Sequence, residues 1–129
     1  MMRGFSPVVD GKILPQHPFD PEAPAISSKV PMLVGTTLNE FTTSLNHPEN
    51  EAMSDGEVET RLADMYRISP EPIVEAFRSS HQGAKPFDIF SLAMTAQVRQ
   101  GAVVQAERKT GQGTPAYLYW FTWKTLVQR

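Results

Sequence analysis

One carboxylate stands where an α/β enzyme would use it. Val30-Pro31-Met32-Leu33-Val34 is a short apolar run, Gly35 follows it, and Glu40 comes next but for Thr36-Thr37-Leu38-Asn39. An apolar run of that length closed by glycine predicts a buried strand. Parallel sheets place their chemistry in the loops beyond the carboxyl ends of their strands. Glu40 is therefore the candidate catalytic residue, an acid delivered to the carboxyl edge of a sheet. The plain alternative is a solvated loop glutamate, which is what most loop carboxylates are.

The partners such an acid would need are not evident. No Gly-x-Ser-x-Gly occurs in the sequence. Its nearest approach, Gly4-Phe5-Ser6-Pro7-Val8, lacks the closing glycine, and Pro7 has no amide with which to bind an oxyanion. The histidines are His17, His47 and His81, and none follows the last strand-like segment. His17 and His47 each precede a proline in loops, His81 lies near a helix end, and all three read as surface residues. None has a partner at metal-ligand spacing, so no metal is implied. Gly111-Gln112-Gly113 is too short for a phosphate loop and follows a helix instead of preceding one. No organic cofactor is implied either.

The elements that would position Glu40 can be read from pattern. Six of the eleven prolines fall within residues 7–31. Proline fixes φ and removes an amide donor, so this stretch is extended chain with turns. Val8-Val9-Asp10-Gly11-Lys12-Ile13 could form a small hairpin on its Asp-Gly turn, and residues 14–29 should run along a surface or serve as a linker. After the strand at 30–34 and a loop to about Met53, Ser54-Asp55-Gly56-Glu57 has capping-box spacing. Val58, Leu62 and Met65 recur behind it at helical spacing. Ser69-Pro70 should open a second helix with Ile73, Val74 and Phe77 as its apolar face. A third helix is predicted from about Asp88, as its cap, to Lys109, with Gly111 as its stop. Ile89, Leu92, Ala93, Ala96, Val103 and Ala106 form its apolar stripe. Met32, Met53, Met65 and Met94 read as core filler.

Ala116-Tyr117-Leu118-Tyr119-Trp120-Phe121-Thr122-Trp123, introduced by Pro115, predicts a second strand. Its aromatic residues could stack bases or sugars, but no basic groove accompanies them, and a packed core strand is the better reading. Two strands separated by a long helical excursion imply a right-handed parallel crossover and an α/β class. A parallel sheet needs cover on both faces. Two strands and three helices leave edges unpaired and apolar faces open, with self-association through the strand edges as one consequence. The chain thus reads as a segment of a larger α/β domain.

Composition narrows the function classes. At 129 residues, 40% hydrophobic and 20% charged, the chain has the make-up of a folded domain or part of one. A net charge of −2 with no basic run of five favours neither nucleic acid nor an anionic membrane. No apolar run approaches the roughly 20 residues of a membrane span. Cysteine is absent, so there is no disulfide or thiolate metal site. That suits a reducing compartment such as the cytoplasm, as does the lack of a signal-like start.

Several pieces occur in an order that carries further meaning: Phe5-Ser6-Pro7-Val8-Val9-Asp10-Gly11; Leu14-Pro15 with Pro18-Phe19; Val30 through Glu40; Asp88 before the long helix; and Tyr117-Leu118-Tyr119-Trp120-Phe121. With these pieces the chain resembles the C-terminal part of type B carboxylesterases, the family that includes bacterial para-nitrobenzyl esterases and cholinesterases. The similarity runs over nearly the whole length. It implies a partial α/β-hydrolase fold, with residues 1–129 as one segment of a single domain truncated at both ends. It also implies a serine esterase acting on small carboxylic esters, with Glu40 as the acid of a Ser-His-Glu triad. Glu40 would hold the histidine in its productive tautomer and stabilise the imidazolium. The family's serine and histidine match no residue here, so the isolated chain is expected to be inactive.

Two departures stand out. Phe41 occupies a position where many members have a small residue. The family also continues past Lys124-Thr125 toward its histidine, whereas this chain stops at Arg129; at its start, Met1 falls well after the elbow and the oxyanion segment. A non-catalytic remnant or interaction segment of a cholinesterase-like protein is the rival reading, and a free-standing small α/β domain is a third.

Overall fold

The computed structural model describes residues 7–40 and 47–123. Ser6, Phe41 and Lys124-Thr125 lie outside the described residues. The elements run in the order β1 (Met32–Thr37), α1 (Asp55–Tyr66), α2 (Glu71–Ser80), α3 (Pro86–Gly111) and β2 (Ala116–Phe121). Short 3-10 turns stand at Ala25–Ser27 and Pro48–Ala52, the second inside the stretch expected to be plain loop. β1 and β2 form a two-stranded sheet. The amide of Met32 donates to the carbonyl of Pro115 at 3.1 Å, and that of Leu38 to Phe121 at 2.9 Å, so both strands advance together in parallel. The expected mixed α/β arrangement with a helical crossover is therefore present.

The chain divides into two compact units, one containing residues 7–34 and 101–119, the other 35–100 and 120–123. In the first, the proline-rich stretch is held to the last turn of α3. Lys109 is only 1% exposed. Its ammonium donates to the carbonyl of Ser27, to Ser27 Oγ at 3.3 Å and to Gln112 Oε1 at 3.1 Å. A buried cation is tolerated when its donors are all used, and three neutral acceptors meet that need. Gln112 Nε2 donates to the carbonyls of Ala23 and Pro24 at 2.6 and 3.1 Å, and Thr114 Oγ1 donates to the Ser28 carbonyl. Arg108 pairs with Asp20 at 3.3 Å. These bonds make residues 20–28 a strap along a surface, not a linker.

The hairpin expected at residues 8–13 is not formed. Asp10 Oδ1 instead accepts the amides of Lys12, Ile13 and Leu14 at 2.9, 2.9 and 3.0 Å. An aspartate that captures the amides a strand would use replaces pairing with a side-chain turn. Gly11, at φ +74°, supplies the positive φ that the turn requires.

In the second unit, α1 opens on the capping box read from the sequence. Ser54 Oγ accepts from the Glu57 amide at 3.3 Å, and Glu57 Oε2 accepts from the Ser54 amide at 3.0 Å. Val58 and Leu62 are fully buried and join Met53, Val74, Phe87, Ile89, Phe90 and Ala93 in one core among the three helices. Met65, expected in that core, is exposed. Tyr66 turns inward in its place and donates to the Ala93 carbonyl at 3.0 Å. A half-buried tyrosine whose hydroxyl has a carbonyl partner packs stably against a core, and its partial burial raises the hydroxyl pKa.

α2 begins one residue later than expected. Pro70 is its N-cap, Pro72 lies in its first turn, and the Ser69 hydroxyl donates to the Glu71 carboxylate instead of capping the backbone. α3 begins earlier, at Pro86, so Asp88 lies in the first turn and is not the cap. Gly111 is the last residue of α3, and Gly113 at φ +75° turns the chain after it. The stripe predicted on α3 is narrower than its buried surface. Phe87, Phe90, Ser91, Thr95 and Ala102 are buried beside Ile89 and Ala93, while Leu92, Ala96, Val103 and Ala106 are half-buried. A helix with neighbours on more than one side loses the clean single stripe that periodicity detects.

β1 differs from expectation in extent. It runs through Gly35 to Thr37, carried by β-branched Thr36 and Thr37, which suit a pleated strand. β2 differs in burial. Tyr117, Leu118, Tyr119, Trp120 and Phe121 are 42–60% exposed, so it is not a packed core strand. The cover that the described residues supply at Trp120 is the Arg99 guanidinium, 4.1 Å from its ring centre.

Candidate functional site

Glu40 sits in the loop that leaves the carboxyl end of β1. The last ladder bond, from the Leu38 amide to Phe121, ends the strand. Two further bonds then fix the loop. The Glu40 amide donates to Thr95 Oγ1 on α3 at 3.1 Å, and Glu40 Oε1 accepts the Thr37 amide at 2.5 Å. Thr95 is 4% exposed and its hydroxyl also donates to the Ser91 carbonyl at 2.9 Å. That hydroxyl gives its proton to its own helix and receives one from the loop, so it ties the Glu40 backbone to α3. The carboxylate is half-buried and makes no ion pair among the described residues. One oxygen is held from within the loop, and the other has no hydrogen-bond partner among the described residues.

That arrangement suits an acceptor. A carboxylate fixed by a backbone amide, with an oxygen to spare and no opposing cation, can accept a hydrogen bond from an imidazole N–H and stabilise its charge. A glutamate quenched by arginine or lysine could not do so as well.

The histidines do not supply that imidazole. His17 is exposed in the proline-rich stretch. His47 Nδ1 lies 3.0 Å from Glu49 Oε1 in an exposed pair, and the Glu49 carboxyl is held below its ordinary pKa first by its own backbone amide and then by His47. His81 caps the end of α2, and its Nδ1 lies 3.2 Å from the Phe77 carbonyl and 3.0 Å from Ser80 Oγ. A triad histidine presents Nδ1–H to the acid, and that atom of His81 is already bonded to its own helix. Nor is Ser80 a nucleophile for it, since Ser80 Oγ lies 2.9 Å from the Ala76 carbonyl and points its hydroxyl back into the helix.

Thr95 is the site residue that sequence reading missed. Its signal was available: a threonine between Met94 and Ala96 on an apolar helix, four residues after Ser91. A hydroxyl in that setting needs a carbonyl one turn back, and its remaining acceptor lone pair must be met from elsewhere. Two neighbouring oxygens lack such partners. Thr36 Oγ1 and Ser91 Oγ are buried without a hydrogen bond among the described residues. Among the described residues no three His, Asp or Glu side chains converge as a metal site would require, and no helix is long and apolar enough to cross a membrane.

No known family model matches the chain.

Proposed function

We propose that the chain is the acid-bearing part of a serine carboxylesterase with an α/β-hydrolase fold, in which Glu40 orients the catalytic histidine. The observation that carries this reading is the placement of Glu40: after the carboxyl end of a parallel strand, pinned through Thr95 to the crossover helix, and without an ion pair among the described residues. The ordered set of sequence pieces that resembles type B carboxylesterases supports it. So does the open aromatic strand β2, which a wider parallel sheet would cover.

In this reading the serine and the histidine come from segments outside this chain. The serine attacks the ester carbonyl while the histidine takes its proton, and the Glu40 carboxylate stabilises the resulting imidazolium. The alcohol leaves with that proton, and water completes the cycle by the same route. Triad variants retain some rate because the oxyanion hole and pocket survive. In this reading both lie in segments outside this chain, so purified protein should hydrolyse a nitrophenyl ester at the background rate. Turnover above background that Glu40→Gln abolishes would contradict the assignment of the other two groups to segments elsewhere.

A second reading, a non-catalytic interaction segment of a cholinesterase-like protein, is favoured by the exposure of β2, whose row of aromatic side chains is available to a partner. The flanking reading frame separates the two. An in-frame Gly-x-Ser-x-Gly upstream with a histidine downstream belongs to the esterase, and the absence of both belongs to the interaction segment.

A further inference from the structure

A cleft of about 180 Å³ in the second unit is lined by Leu38, Asn39, His81, Ala84, Asp88 and Leu92. Leu38, Ala84 and Leu92 give it an apolar side, and the other three give it a polar one. Asp88 is half-buried, and its carboxylate makes no hydrogen bond or ion pair among the described residues. The nearest basic residue in sequence, Lys85, pairs with Glu51 at 3.6 Å. The Phe77 carbonyl, 3.2 Å from His81 Nδ1, can only accept, so Nδ1 is the donor in that bond and, in the neutral ring, Nε2 is the acceptor. The Asn39 side chain also has no hydrogen-bond partner among the described residues. The cleft therefore combines one unpaired negative charge, one imidazole acceptor and one amide with an apolar wall.

We propose that this cleft binds a small primary ammonium carrying a short alkyl chain. The ammonium has three donors and a positive charge, which answer the Asp88 carboxylate, His81 Nε2 and the Asn39 carbonyl oxygen. The alkyl chain lies against Leu38, Ala84 and Leu92. The cleft is small, so it suits a ligand of only a few non-hydrogen atoms. A neutral alcohol of the same size would lack the charge that a half-buried carboxylate demands, and an anion would be repelled. The proposal does not depend on the role given to Glu40.

The test is a titration of the full 129-residue chain, followed through its backbone amide resonances, with n-butylamine, n-butanol and butyrate as probes. Butylamine should shift the amides of Asn39, Ala84 and Asp88 saturably. Butanol should bind at least about tenfold more weakly, and butyrate should not bind. Asp88→Asn should weaken butylamine binding by about tenfold or more, and His81→Phe by a smaller factor, with the rest of the spectrum unchanged. The probe series on the unaltered chain stands even if a variant fails to fold. Equal binding of the amine and the alcohol, the absence of a saturable shift at these residues, or undiminished binding by a folded Asp88→Asn would each overturn the proposal.

Discussion

Glu40 owes its place to a threonine. Thr95 Oγ1 accepts the Glu40 amide while donating to Ser91, so a single buried hydroxyl serves both the loop and the helix. Thr95→Val keeps the shape and removes both bonds, leaving the half-buried Glu40 amide without its partner. The expected loss is about 1–2 kcal/mol, read as a lower urea midpoint at unchanged m-value. Asp10 offers a pH test at the same scale. Its carboxylate pKa is lowered, first by the Leu14 amide, then by those of Lys12 and Ile13. A depressed carboxylate pKa means that the ionised form holds the turn. The turn's order is complete above the ordinary aspartate value of about 3.9 and is lost as pH falls through the lower folded value. The amide shifts of Lys12, Ile13 and Leu14 should titrate together with a midpoint below that ordinary value, and Asp10→Asn should abolish the titration.

Among the elements, what the sequence made legible was local chemistry. Ser54 and Glu57 announce the start of α1 because the capping box is written in two residues and needs nothing else. The ends of α2 and α3 were harder. Proline is compatible with an N-cap or with either of the first helical positions, so Pro70, Pro72 and Pro86 fix the starts only to within a turn. Met65 and Tyr66 are adjacent and both apolar enough for the core, and only the Ala93 carbonyl across the interface decides between them. The partners of Thr95 and Lys109 were illegible for the same reason, since they lie 55 and 82 residues away in sequence. Gly101 of α3 gives the element-scale prediction. A Cβ there meets nothing within 4 Å. Gly101→Ala should therefore stabilise the chain by about 0.5–1 kcal/mol through helix propensity and the loss of unfolded-state freedom, seen as a higher melting temperature.

For the whole molecule, the parallel pairing was foreseeable because two strand-like segments flank a helical excursion. The burial of β2 was not. Its aromatic residues read as core, yet core status depends on what covers the strand, and among the described residues its cover is slight. The helical residues of the second unit keep their own core of Val58, Leu62, Ile89 and their neighbours, whereas β2 stays largely exposed among the described residues.

The most direct test of the account is the effect of Glu40→Gln in the proposed full-length esterase. The amide keeps the size of the side chain and removes its charge. With nitrophenyl esters, kcat should fall about 10³–10⁴-fold with KM little changed. A Glu40→Gln enzyme that retains full kcat would contradict the assignment of Glu40 as the triad acid.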